Sequence, residues 1–197
     1  MPGHSTDHVS QPAVIRIAIA ETMPIGIEDG FDIPNVPFKI IRRPIGPIAG
    51  LEAHIPAAVA LFVAAGYFNG FLRKLGEDHY CLVKSMAKRL LERAGKTSVR
   101  TVTASGPVQT VHAMNFSVAA DLPSGARCKL MLKADLSPDQ AARAVDLFLD
   151  LVRDAYRERS IPAVQELLTG PPIWNEVVLT YDPGLERLVL VPYLGRQ

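Results

Sequence analysis

A run of eighteen residues without a charged side chain, 55–72, limits the possible folds of this chain more than any other feature. Water solvates such a run poorly, so it belongs in a buried core, in an interface or in a membrane. Pro56 fits the first turn of a helix, where its missing N–H costs little, and Gly76 fits the position just after a helix. We therefore predict one very apolar helix over 55–72.

The predicted helix has two uses that differ in their partner. Gly66 and Gly70 are spaced so that a second backbone can approach closely, either in a packed core or in a membrane. We predict a core or oligomer-interface helix, because Pro56, Gly66 and Gly70 interrupt the run and many of its residues are alanines. The alternative is a membrane-associated effector that inserts 55–72. The predicted self-association interface consists of Phe62, Gly66, Phe68, Gly70 and Phe71.

Composition excludes several classes of protein. The mean hydropathy of +0.15 excludes disorder for most of the chain. The net charge of +1 lacks the basic excess of a dedicated nucleic-acid binder, so we predict no nucleic-acid partner. Cys81 and Cys128 cannot form a disulfide framework, and they lack zinc-site spacing. The pair is typical of a reducing compartment, and we predict a cytoplasmic protein.

Hydrophobic patterns and segments rich in Pro and Gly divide the rest of the chain. We predict a disordered tail over 1–12 and a single α+β domain over 13–197, with a long loop rich in Pro and Gly at 21–37. Alternating or apolar segments predict strands, and residues repeating at helical spacing predict helices. The predicted strands are 14–20, 38–43, 99–103, 108–120, 126–134, 176–181 and 187–193, and the further helices are 79–94, 138–159 and 162–168.

This order of elements favours a mostly antiparallel sheet packed against a helical layer that includes the very apolar helix. Ser137 and Pro138 are typical of a helix start. The turn Asp182-Pro183-Gly184 predicts a C-terminal hairpin that belongs to the main sheet, because an isolated hairpin is marginally stable in water.

Sequence motifs for nucleotide, redox or hydrolase chemistry are absent from the chain. We therefore predict no cofactor and no metal, and the sequence leaves any catalytic residues unknown. Acidic residues at a helix start, such as Glu77 and Asp78, are explained by capping alone. The alternative is a small enzyme with a site assembled around Glu77, Asp78, His79, His112 and the loop 21–36.

Two charge patterns mark the helices. Asp146, Asp150 and Asp154 repeat every four residues, and 73–100 contains eight basic and three acidic residues. The acidic ridge is compatible with a metal or a general acid, and the basic segment is compatible with a nucleic acid, although it lacks interleaved aromatics. A basic helix face that meets the acidic ridge, within the chain or across a dimer, explains both patterns without another partner.

The segment Tyr67-Phe-Asn-Gly-Phe-Leu-Arg-Lys-Leu-Gly-Glu-Asp-His-Tyr80 resembles one found in small uncharacterised bacterial proteins, some associated with effector or conflict systems. The resemblance covers 67–80 only and contains no catalytic motif. It implies a bacterial adaptor or regulatory module, and no functional residue is carried over from it. Our leading hypothesis is a non-catalytic interaction or regulatory module that self-associates through 55–72, with a second copy or another protein as its partner.

Overall fold

The computed structural model describes residues 14–29, 36–44, 57–71, 77–96, 102–103, 106–107, 112–157 and 176–191. The predicted tail 1–12 and the predicted helix 162–168 lie outside these ranges. The helices are α1 (Glu77–Gly95) and α2 (Pro138–Tyr156), and a π-helical turn occupies Tyr67–Phe71. The strands are β1 (Ile15–Ala20), β2 (Phe38–Arg43), β3 (Val59–Val63), β4 (Val102–Thr103), β5 (Gly106–Pro107), β6 (His112–Asp121), β7 (Arg127–Lys133), β8 (Glu176–Asp182) and β9 (Arg187–Leu190).

In the described part of the chain, seven strands form one sheet in the order β2-β1-β3-β6-β7-β8-β9. The pairs β1–β2, β3–β6 and β7–β8 are parallel, and the other three neighbouring pairs are antiparallel. The α+β class is therefore confirmed, but the prediction of a mostly antiparallel sheet is wrong. Alternation along a strand reveals its faces and not its direction. Parallel neighbours need a long connection, which the residues after β1 and the α2 segment after β7 supply.

The very apolar helix predicted over 55–72 is replaced by strand β3 and the π-helical turn. β3 lies inside the sheet between β1 and β6, and Val59, Leu61 and Val63 are fully buried. All five residues of β3 are apolar, including the half-buried Ala60 and Phe62, so its pattern resembles that of a buried helix. Placement in the sheet, which depends on distant strands, decides between the two.

The replaced helix changes the predicted interface. Phe68 is 2% exposed, and its ring stacks on that of Tyr156 at 4.9 Å with an interplanar angle of 7°. Phe68 therefore packs in the core of this chain. Gly66 is exposed, and Phe62 lies half-buried on the sheet. The structure does not describe the exposure of Gly70 and Phe71. Self-association stays a prediction, but residues 57–71 do not form the helix that was expected to mediate it.

The hydrophobic core lies between the two helices and one face of the sheet. Register aligns the buried side chains of neighbouring strands, as in the row formed by Ile17, Leu61, Val118, Leu130 and Leu179. From the helices, the buried stripes of α1 and α2 cover this face. They consist of Tyr80, Val83, Ala87, Leu90 and Ala94 in α1 and of Ala141, Ala144, Val145, Phe148, Leu149 and Val152 in α2.

Two local predictions are confirmed. Ser137 caps α2, and its side chain and that of Gln140 each accept a hydrogen bond from the other residue's backbone N–H. The C-terminal hairpin belongs to the main sheet through β8, which pairs with β7. Asp182 Oδ1 accepts hydrogen bonds from the backbone N–H groups of Gly184 and Leu185. The positive φ of this turn, 49°, is at Glu186.

Among the residues that the structure describes, no helix has both the length and the apolar character needed to cross a bilayer.

Candidate functional site

Two lysines of α1 form ion pairs with two aspartates of α2. Lys84 Nζ lies 3.0 Å from Asp150 Oδ2 and 3.6 Å from Asp146 Oδ1, and Lys88 Nζ lies 2.6 Å from Asp146 Oδ2. The acidic ridge therefore meets the basic face of α1 within one chain. Across the described ranges, no three His, Cys, Asp or Glu side chains are grouped closely enough to hold a metal ion.

Tyr80 lies at the centre of this ion-pair network. Its hydroxyl donates a hydrogen bond to Asp150 Oδ1 at 2.9 Å, and Arg153 and Lys84 lie near its ring. Burial and the negative charge of Asp150 raise the pKa of Tyr80 far above its usual range. The phenol therefore stays protonated and serves as a hydrogen-bond donor that joins the two helices.

Two arginines hold the start of the long loop, 21–29. Arg42 donates to both carboxylate oxygens of Glu28, at 2.8 and 2.7 Å, and to the carbonyl oxygens of Met23 and Pro24. Arg93, near the C-terminal end of α1, donates to the carbonyl oxygens of Ile27 and Asp29. This part of the loop is therefore fastened to the sheet edge and to the end of one helix.

The same contacts separate the parts of the alternative catalytic site. His79 lies in the first turn of α1, about 21 Å along the helix axis from Arg93 at 1.5 Å per residue. His79 is half-buried, its Nδ1 has no hydrogen-bond partner, and Asp78 is exposed. The structure does not describe the side chains of Glu77 and His112. The described part of the loop, 21–29, and His79 are thus at opposite ends of α1 and do not form one site.

The two cysteines also differ in their surroundings. Cys81 is exposed on α1, and Cys128 is buried in β7. Burial, with a smaller effect from the charge of Glu176, raises the pKa of Cys128 to about 12. Cys128 is therefore a protonated thiol that packs as a small apolar side chain.

The sheet face opposite the helices carries a concentration of positive charge. Side chains alternate along a strand, so the strand registers assign seven basic residues and three acidic ones to this face. The excess of four positive charges compares with a net charge of +1 for the whole chain. We call this surface the cationic face. Its charged residues are Arg16, Lys39, Arg43, Arg127, Lys129, Lys133, Arg187, Asp121, Glu176 and Asp182.

Phe62 lies on this face with a guanidinium group from each side. The Cζ atom of Arg16, from β1, is 4.6 Å from the ring centroid, and that of Arg127, from β7, is 4.9 Å away. Register explains the arrangement, because Arg16 is the direct cross-strand partner of Phe62 and the short Ala119 is its partner on the other side. The ring and the two guanidinium groups form one platform of planar groups, held by cation–π attraction.

Three cations of this face differ from Lys84 and Lys88 of the helical layer, which are paired with carboxylates. Arg16, Lys39 and Arg43 are exposed, and none of them forms an ion pair with another described residue. Burial and the nearby charges of Arg43 and Arg127 lower the pKa of Lys129, and Glu176 partly offsets this effect. The positive charges of Arg43 and Arg127 therefore repel that of Lys129 on this face, and a bound anion would reduce that repulsion.

Sequence reasoning named one member of this site, Phe62, and assigned it to a different surface. The charged members come from β1, β2, β6, β7, β8 and β9, so no linear segment carries the pattern. A usable signal was the placement of Lys39, Arg43, Arg127 and Lys129 at alternating strand positions opposite apolar residues. Comparisons of the chain with known protein families, with curated proteins and with solved structures find no match.

Proposed function

We propose that this protein is a non-catalytic binding module that holds an anionic partner on its cationic face. One observation carries the proposal: Arg16, Lys39 and Arg43 are exposed cations on a single sheet face, without an ion pair among the described residues. Two lysines of the helical layer serve as a comparison within the molecule. Lys84 and Lys88 are already paired with carboxylates.

The chemistry of this face supports binding. A guanidinium group stays protonated at every physiological pH, so Arg16 and Arg127 supply charge and hydrogen bonds and do not transfer protons. The forked donors of arginine match a carboxylate or a phosphate, and lysine adds a point charge. Positive potential over an extended surface also accelerates the encounter with an anionic partner, and this effect weakens as salt is added.

The proposal is tested with two variants of equal net charge. The first, Arg16→Gln/Lys39→Gln/Arg43→Gln, removes the three unpaired cations. The matched control, Arg89→Gln/Lys96→Gln/Arg143→Gln, removes three exposed cations from or next to the helices. Binding of a fluorescein-labelled heparin fragment is measured by fluorescence anisotropy at low salt.

We expect the first variant to bind heparin at least about tenfold more weakly, a loss of about 1.4 kcal/mol, and the control to change affinity by less than about threefold. Equal losses in both variants would mean that net charge alone controls binding. That result, or a wild-type protein that does not bind heparin, contradicts the proposal.

A further inference from the structure

We infer that the anionic partner is a single-stranded nucleic acid, with one base stacked on the platform of Phe62, Arg16 and Arg127 and its phosphates held by the surrounding cations. The inference rests on the proposed function and adds the chemical class of the partner.

The platform favours a ligand with a planar group as well as negative charge. Simple anion binding needs the cations alone, and an aromatic ring among them adds a surface for stacking. Nucleobases stack on aromatic rings and also on arginine planes. At Phe62 both kinds of surface occur together, with guanidinium groups 4.6 and 4.9 Å from the ring centroid. An incoming base can therefore stack on the outer side of either guanidinium group, which the ring holds at the sheet surface.

Cations flank the ring along a line that crosses the strands. Lys39, Arg16, Phe62, Ala119 and Lys129 are successive cross-strand partners in β2, β1, β3, β6 and β7. Four strand spacings of about 4.8 Å place Lys39 and Lys129 about 19 Å apart. A nucleotide whose base stacks at the centre of this row has cations on both sides, so the phosphates before and after it are both within the charged surface.

Small side chains surround the ring. Ala18, Ala60 and Ala119 lie on the same face as Phe62 and are half-buried, so solvent reaches them although their side chains are short. A flat floor of this kind accepts an unstacked base lying on the sheet. Bases in a duplex are paired and stacked on each other, which makes them unable to reach Phe62. An acidic peptide would bind the cations, but it lacks the flat bases that stack on such a platform.

The net charge of +1, together with a basic segment, 73–100, that lacks interleaved aromatics, led to the prediction of no nucleic-acid partner. The platform explains why that reasoning missed this surface. Its cations and its ring come from three different strands, β1, β3 and β7, and they become neighbours through strand pairing.

The test compares two anionic probes on the same protein. The probes are a fluorescein-labelled twelve-nucleotide oligo(dT) and a labelled poly-glutamate of similar charge, with the duplex form of an oligonucleotide as a third ligand. We expect Phe62→Leu to weaken oligo(dT) binding about tenfold, because it removes the aromatic ring from the surface on which a base stacks. The same variant should bind poly-glutamate within about twofold of the wild type. Three phosphate contacts predict a slope of about −2 in log K against log salt.

A second variant guards against misfolding of Phe62→Leu. Phe62→Trp enlarges the stacking surface, and we expect it to bind oligo(dT) at least as tightly as the wild type. The inference is overturned if Phe62→Leu weakens both probes equally or neither, or if the duplex binds as tightly as the single strand. In those cases the proposed function survives provided that Arg16→Gln/Lys39→Gln/Arg43→Gln still weakens poly-glutamate binding. If that variant binds both probes like the wild type, the proposed function fails as well.

Discussion

Arg42 and Arg93 fasten a segment that has no strand partners of its own. The loop 21–29 presents backbone carbonyl groups that no ladder satisfies. The two guanidinium groups donate to five of them, at Met23, Pro24, Gly26, Ile27 and Asp29. Arginine suits this task because it offers several donors in a fixed fork. The anchored loop nevertheless leaves Ile25 95% exposed.

The contact between Arg42 and Glu28 predicts a specific dependence of stability on pH. The hydrogen bond from Arg42 is the main cause that lowers the pKa of Glu28 below 4.5. A carboxyl group with a lowered folded-state pKa contributes stability that is present above the unfolded-state pKa and is lost as pH falls through the folded-state pKa. The wild-type protein should therefore lose more stability below pH 4.5 than Glu28→Gln does.

Urea midpoints of both proteins, measured between neutral pH and about pH 3, check this prediction. At neutral pH the variant should be the less stable of the two, and the gap should narrow on acidification. A gap that stays constant over the whole range would show that the carboxylate of Glu28 contributes nothing through its charge.

The acidic ridge on α2 is explained by the contact of α2 with α1. The ridge of Asp146, Asp150 and Asp154 was compatible with a metal, a general acid or a basic partner face. In the folded chain it meets Lys84 and Lys88 of α1. The two helices also bury their apolar stripes on the same sheet face. The ion pairs therefore lie along the solvent side of an interface that apolar packing forms.

A double-mutant cycle on Lys88 and Asp146 measures this contact. Lys88→Met and Asp146→Asn should each destabilise the protein, and the double variant should cost less than the sum, with a coupling of about 0.5–1 kcal/mol for a pair that is partly exposed. The coupling should fall as salt is added. Chemical denaturation gives the four free energies of unfolding.

The matched control is Lys88→Met with Asp139→Asn, because Asp139 lies in the first turn of α2, two turns from Asp146. We expect no coupling there. A Lys88–Asp146 coupling as small as that of the control would mean that packing alone holds the helices together.

The C-terminal hairpin contributes to stability on the scale of the whole molecule. β8 pairs with β7 and β9 pairs with β8, and they bury Val177, Leu179, Tyr181 and Leu188 in the core. Burying four such side chains contributes on the order of 5–10 kcal/mol before entropy is counted, which is comparable with the net stability of a domain.

A chain that ends at residue 174 should therefore lose cooperative unfolding. Circular dichroism against temperature compares it with the full chain, and we expect a broad, shallow change in place of a sharp transition. A truncated chain that melts sharply near the full-length temperature would show that the remaining strands and helices suffice for a stable core.

Patterns that depend on near neighbours were read correctly from the sequence. The start of α2 at Ser137 and Pro138, the turn at Asp182 and the strand that became β1 each follow from residues within a few positions of one another. Capping, turn formation and alternation are local interactions, so the chain specifies them before any distant contact forms.

Only the tertiary structure decided what the run 55–72 forms, which strands are parallel, and where the cationic face lies. Val59, Leu61 and Val63 are apolar enough for a helix or a strand, and pairing with β1 and β6 selects the strand. Arg16 and Arg127 are 111 positions apart in the sequence and meet at Phe62 because the register of four strands brings them together. Register depends on packing across the whole sheet, so it cannot be derived from the pattern of one segment.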